Sequence, residues 1–160
     1  DVLAANVRRL QAELDVPVAL EPIASFLDWP EDEFTEADFL TELLERTGAL
    51  LLLDVANVYA NAVNRGRDPR TALDRMPLSR IAYVHIAGGA EHPDDPGIYH
   101  DTHADPVPEP VFALLGELVD RIGGAPPVML ERDGRYPPAE VLSAELDRIA
   151  ETAGLATPAR

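Results

Sequence analysis

Seven side chains able to ligate a metal ion stand at or just beyond the ends of five strand-like segments. They are Glu21, Asp54 with Asn57, His85, Asp101 with His103, and Glu131. All are oxygen or imidazole-nitrogen donors. Glu21 and Glu131 each follow a three-residue apolar run, Asp54 closes the run Ala49-Leu50-Leu51-Leu52-Leu53, and His85 lies near the end of Ile81-Ala82-Tyr83-Val84-His85-Ile86. Asp54 and Asn57 are three apart, a spacing that shares one face on the first turn of a loop or helix. Asp101 and His103 are two apart, and in an extended segment both would point to one side and reach one ion. Taken singly, a carboxylate at a strand end is usually a cap or an ion-pair partner, and a strand histidine is usually a satisfied core residue. Taken together, the four carboxylates Glu21, Asp54, Asp101 and Glu131 would repel one another at a common mouth. Divalent or trivalent cations are the natural compensation, and two or more ions suit four carboxylates better than one. Imidazole without thiolate points to iron, manganese or zinc. Asp101-Thr102-His103 is the strongest local signal, and Asp101 and His103 are the expected catalytic residues. His100 is a candidate for a supporting role, and His92 reads as solvated. Trp29, Tyr59 and Tyr99 are candidates for lining a pocket, and Arg132 and Arg135 read as solvated surface.

Gathering these residues requires the elements between them to alternate. Val2, Leu3, Val7, Leu10 and Leu14 recur at helical spacing, so residues 1–14 read as an amphipathic helix that Pro17 ends. Val18-Ala19-Leu20 reads as a short strand, and residues 23–33 as loop. Thr35 can cap the next helix, with Asp38 near the capping-box position and Phe34 stapling to Phe39. Its buried face would be Phe39, Leu40, Leu43 and Leu44, and Gly48 would end it. The apolar run closed by Asp54 reads as a strand covered on both faces. A loop over 55–69 and a short helix near 70–76 lead to the His85 strand. Pro110 opens a helix facing inward through Val111, Phe112, Leu114, Leu115, Leu118, Val119 and Ile122. Val128-Met129-Leu130 reads as the last strand. Pro138 opens a final helix with Val141, Leu142, Leu146 and Ile149 inward, and 152–160 reads as a flexible tail. This order predicts an α/β fold with a parallel sheet. Its βα loops would collect the seven donors at the C-terminal ends of the strands. Four clear strands are about half of a (β/α)8 TIM-type barrel, which needs roughly 200–250 residues. Residues 1–151 therefore read as the C-terminal part of a TIM-barrel domain.

Composition narrows the function further. The 160 residues include no cysteine and no lysine, so all 13 basic residues are arginine. Thiolate chemistry and Schiff-base chemistry from this segment are excluded. The formal net charge of -16 opposes binding to nucleic-acid phosphates and to anionic membranes. No apolar run approaches a membrane span, and residues 1–14 are not a signal peptide. A cytoplasmic location is the expectation.

Longer strings carry a family resemblance. The order Glu, Asp-x-x-Asn, His, Asp-x-His, Glu resembles the xylose-isomerase-like TIM-barrel superfamily, which includes endonuclease IV. One branch is closer in order and spacing, over about residues 18–150. The strings are Leu51-Leu52-Leu53-Asp54-Val55-Ala56-Asn57-Val58-Tyr59-Ala60-Asn61 and Val84-His85-Ile86-Ala87-Gly88-Gly89. To these add Asp101-Thr102-His103 with Pro106-Val107 and Pro110-Val111-Phe112, and Glu21 with Phe26, Leu27 and Trp29. They resemble the multinuclear non-haem iron-dependent oxidase family, which includes the methanobactin-maturing oxidase. Pro22, Ala56 and Gly89 depart from it, standing where the family usually has Asn, Asn and often His. The resemblance implies O2-dependent modification of cysteine residues in a ribosomally made precursor peptide, with a separate peptide-recognition partner protein. It implies iron as cofactor, in two or more ions, with Glu21, Asp54, Asn57, His85, Asp101, His103 and Glu131 as ligands. The family's first strands, with two further histidine ligands, have no counterpart here. An open half-barrel would then need the missing N-terminal half or self-association. Two other readings share the residues: a sugar isomerase or epimerase on the same barrel, with zinc or manganese as alternative metals, and a metal-free half-barrel acting as an assembly module.

Overall fold

A computed structural model describes residues 1–156. The elements run α1 (Val2–Glu13), β1 (Ala19–Leu20), α2 (Glu36–Thr47), β2 (Leu50–Asp54), α3 (Val55–Asn64), α4 (Pro69–Arg75) and β3 (Ile81–Ile86). They continue with β4 (Ala90–Glu91), β5 (Tyr99–His100), α5 (Glu109–Ile122), β6 (Val128–Leu130) and α6 (Ala139–Ala153). β1, β2, β3 and β6 form one parallel sheet in that order, and β4 pairs antiparallel with β5. This is an α/β fold with a parallel sheet and outer helices, consistent with a fragment of a TIM-barrel-like fold. Among the described residues β1 and β6 are open edges of that sheet.

The helices cover one face of the sheet. Leu51, Leu53, Val84 and Ile86 are wholly buried in one cluster with Leu44, Leu73, Val111, Leu115 and Leu118. Alternation sends the intervening residues to the other face. There Asp54 is in register with His85 and His85 with Met129, and the Tyr83 and His85 rings meet edge to face at 5.5 Å. Met129 on that face is 52% exposed. A register shift beside Leu51 and Leu52 turns Ile81 toward the helix side, where it packs on the core.

Local signals were legible at the helix ends. Thr35 caps α2 by accepting from the Asp38 amide at 3.2 Å, and its hydroxyl donates to the Asp38 carboxylate at 2.7 Å. Gly48 and Gly123 close α2 and α5 in the left-handed conformation. Four expectations need correction. The loop expected over 55–69 is mostly helix α3, because Asp54 caps it at once: one carboxylate oxygen accepts from the Ala56 and Asn57 amides. The valines at 55, 58 and 63 lower intrinsic helix propensity and hid it. Phe39, Val141 and Leu146 are exposed, not inward. The Ala90–Glu91 and Tyr99–His100 hairpin went unread, because a two-residue strand has too few positions to show alternation. The final helix runs to Ala153 with Gly154 as its left-handed cap, past the start expected for the tail. The rest of that expected tail, residues 157–160, lies outside the described residues.

Candidate metal centre

The C-terminal ends of the strands bring the donors together. From β3, His85 Nδ1 lies 2.9 Å from Glu131 Oε2, just past β6, and 3.4 Å from Glu21 Oε1, just past β1. Neither contact has hydrogen-bond geometry, and both ring nitrogens of His85 are buried without a hydrogen-bond partner. Asp54 is wholly buried. Its Oδ1 caps α3, while its Oδ2 has no hydrogen-bond partner and lies 3.7 Å from His103 Nε2. Glu21, Asp54, His85 and Glu131 each offer one atom within 4.8 Å of all the others. A second group joins His103, Glu131 and Asp133, so Glu131 is common to both.

The loop after β5 supplies the second histidine. His103 Nε2 lies 3.0 Å from Asp101 Oδ2, and His103 Nδ1 lies 3.4 Å from Glu131 Oε2. The extended conformation expected for Asp101-Thr102-His103 is absent. His103 has φ 51° at a bend, and its ring still meets the Asp101 carboxylate on the same side, as the two-residue spacing predicted. The Asp133 amide donates to the His103 carbonyl at 2.7 Å and fixes that bend. Two glycines allow the loop to lie on the end of β3. A Cβ at Gly88 would run into the Asp105 and Pro106 carbonyl oxygens, and one at Gly89 would sit 2.5 Å from the His100 carbonyl oxygen. The loop carrying Asp101 and His103 thus sits against the strand carrying His85 only because positions 88 and 89 have no side chain.

Electrostatics follow from burial and crowding. Desolvation pushes the Asp54 carboxyl up to about 6, against the pull of His103. The hydrogen bond to Asp101, helped by the charges of Asp101, Asp54 and Glu131, raises His103 to about 9. Arg132, beside Glu131 in sequence, gives this cluster no cation. Expected as solvated, its side chain is buried, bonded to Glu145 at 2.6 Å and to the Ala104 carbonyl oxygen at 3.1 Å. Arg135 pairs with Asp105 at 3.0 Å. Crowded carboxylates, unpartnered buried oxygen and nitrogen atoms and no free arginine among them fit a site built for hard or borderline cations.

Comparison with known proteins places the scaffold. The family model described as RiPP precursor modification enzyme MbnB/TglH/ChrH matches residues 1–154. The chain belongs to this family. These are the multinuclear non-haem iron-dependent oxidases that the motifs resembled. A UPF0276 protein of Streptomyces avermitilis is 51% identical over 152 residues, covering 95% of this chain and 30% of that protein. A UPF0276 protein of Bordetella bronchiseptica is 41% identical over 150 residues, 92% of this chain and 52% of that protein. One of Caulobacter vibrioides is 39% identical over 146 residues, 91% of this chain and 51% of that protein. The chain therefore spans about half, or less, of the length of these relatives.

Within this family scaffold, five of the seven expected donors, all but Asp101 and Asn57, fall in the two close groups that share Glu131. Asp101 stands outside both close groups and reaches them through His103. Asn57 lines the same cavity of about 320 Å3, but its amide nitrogen is engaged, donating to the Pro22 carbonyl at 3.0 Å. It holds the turn after Glu21, which leaves only its carbonyl oxygen for an ion. Asp133 was missed. It follows Glu131 by two residues, the same spacing as Asp101 and His103, and that was the signal to use. His100 is exposed and meets Phe26 and His92 through ring contacts, away from the donor groups. Trp29 is exposed, whereas the Tyr99 hydroxyl is buried without a partner. Among the described residues no helix is long and apolar enough to cross a membrane.

Proposed function

We propose that this chain forms the metal-holding mouth of an iron- and O2-dependent oxidase that modifies cysteine residues of a ribosomally made precursor peptide. It rests chiefly on one observation: two donor groups share Glu131, and in the first of them Asp54 Oδ2 and both His85 ring nitrogens are buried without hydrogen-bond partners. Glu21, Asp54, His85 and Glu131 would hold one iron. Glu131, His103 and Asp133 would hold a second, with Asp101 fixing the His103 ring and Asn57 the turn that carries Glu21. Bound iron would supply O2 activation and an attachment point for the substrate thiolate. These 160 residues contain no cysteine, so the thiol to be modified would come from the peptide. In the metal-free state His103 keeps a proton against Asp101, so loading the second group means removing that proton. Residues 1–151 would be the C-terminal part of a TIM-barrel domain, completed by an N-terminal half, and a peptide-recognition protein would deliver the precursor.

The test is metal analysis of anaerobically purified protein, followed by O2 uptake with a cysteine-bearing precursor peptide. The expected result is two or more irons per chain and uptake that depends on the peptide. His103→Ala should lower bound iron while leaving helix content nearly unchanged. Zinc or manganese alone, with ketose turnover and no O2 uptake, would replace this reading with the isomerase one. Unfolding of His103→Ala with its metal retained would remove His103 from the ligand set.

A further inference from the structure

Two segments meet at the second donor group. Residues 101–107 carry Asp101 and His103, and residues 131–135 carry Glu131 and Asp133. They are joined at consecutive residues. The Asp133 amide donates to the His103 carbonyl at 2.7 Å, Arg132 Nη1 donates to the Ala104 carbonyl at 3.1 Å, and Arg135 pairs with Asp105 at 3.0 Å. Asp105 in turn accepts from the Thr102 hydroxyl at 2.7 Å. Among the described residues, His103 and Arg135 are the two non-glycine residues with positive φ, at 51° and 46°. One lies in each segment. Backbone in that sparsely populated region persists only where its surroundings over-determine it.

One ion pair braces this junction from behind. Glu131 and Asp133, two apart, both reach the donor group, whereas Arg132 between them turns the other way, to α6. There its Nη2 meets Glu145 Oε2 at 2.6 Å, and Glu145 Oε1 accepts from the Val107 amide at 2.9 Å. The pair therefore holds the loop at two points, the carbonyl of residue 104 and the amide of residue 107. The two side chains are 6% and 12% exposed, so the brace is closed and buried by the chain's own residues. Buried ion pairs are poor sources of net stability, because desolvation offsets their attraction. What charge-assisted bonds of this kind add is direction, and here both partners spend that direction on one loop.

We propose that Arg132 and Glu145 are positioning residues for the second donor group. They hold residues 101–107 against residues 131–135 at the spacing at which His103, Glu131 and Asp133 can share one ion. This rests on the metal-centre reading for the ion, and adds the residues that set its geometry. Among the described residues neither side chain bonds to Glu21, Asp54 or His85, so the first group should keep its ion without them.

The probe is Co2+, whose visible absorption reports the ligands of each bound ion, titrated into metal-free protein. Two ions are expected on the unsubstituted chain. Arg132→Met combined with Glu145→Leu removes both charges together and keeps the space filled, so the fold should melt no lower. The freed Ala104 carbonyl and Val107 amide then turn to water and take the loop with them. One Co2+ should bind as before, and the other about tenfold to a hundredfold more weakly with a changed spectrum. Arg132→Lys keeps the charge but not the fork that spans Glu145 and Ala104. It should show the same loss in smaller measure, and it carries the test if the double variant does not fold. Amide exchange in metal-free protein is the second readout. The Ala104 and Asp133 amides bond to the Thr102 hydroxyl and the His103 carbonyl, not to the brace. They should exchange faster in the double variant while the amides of β2 do not change. Both ions held at full affinity, or both lost alike from a folded variant, overturns the proposal. A lower melting temperature with both ions kept does so too, by making the pair an ordinary stabilising one. No Co2+ on the unsubstituted chain would remove the metal-centre reading instead. Amide exchange would then decide alone whether the pair holds the loop, and equal rates would overturn it.

Discussion

The two faces of the parallel sheet are built for different purposes. Behind β2 and β3, Leu51, Leu53, Val84 and Ile86 are sealed under the helices. In front, β2 and β3 present Leu52 and Tyr83 and carry Asp54 and His85 near their ends, and the neighbouring β6 presents Met129 and leads into Glu131. The rear face follows the usual rule that apolar side chains fill a common core, and each fully buried leucine there contributes about 2 kcal/mol. The front face breaks that rule at its upper end, with carboxylates crowded against imidazoles. Stability is thus stored on one side of the backbone and the candidate donors stand on the other, a single residue apart along each strand.

That comparison can be broken in order of effect. Leu53→Ala should cost about 3 kcal/mol in a denaturant melt, because it opens a cavity among rigid neighbours. A cost below about 1 kcal/mol would mean the rear face is not the stabilising one. Gly88→Ala should come next, at about 1–3 kcal/mol for forced overpacking, and it should release bound metal by pushing the Asp101–His103 loop off β3. Stability loss with metal binding intact would show that the loop position does not matter to the site.

The third effect is pH dependence. His103, raised to about 9 in the fold, contributes stability that is complete below its ordinary 6.5 and lost as pH rises through 9. Asp54, raised from 3.8 to about 6 by burial, also makes the fold less stable as pH rises through that interval. The signs agree, so the melting temperature of the metal-free chain should fall from about pH 5 to about pH 9. With metal bound, the stabilisation should grow over the upper part of the same window, because ligands must be deprotonated. Melts with and without iron, under anaerobic conditions, measure both slopes, and parallel slopes would detach these groups from the metal. The smallest effect belongs to Met129→Ala on the front face, expected within about 0.5 kcal/mol. A loss near that of Leu53→Ala would mean that the front face is already covered.

Much of this was legible along the chain. The apolar runs, Thr35 and Gly48 mark elements through forces that act within a few residues, namely capping, conformational freedom and alternation. Glu21, Asp54, His85 and Glu131 were readable because each sits where an apolar run stops, and Asn57, Asp101 and His103 because of their spacing. Less local features were not. Helix α3 was hidden because its valines disfavour helix while Asp54 and burial impose it. Arg132 looked solvated because its partner Glu145 lies further along the chain, in α6.

By itself, the sequence determined the α/β alternation, the family, and which side chains are of metal-ligating type, since side-chain type and strand order do not depend on the final packing. Only the tertiary structure decided how those residues are shared. It put Glu131 in both donor groups, set His103 in a left-handed backbone, added Asp133, and drew Asn57 toward the Pro22 carbonyl. Those outcomes depend on distances between segments 30 or more residues apart in the chain, such as His85 to Glu21 and Glu131. Packing of the intervening helices sets those distances, and no local pattern encodes them.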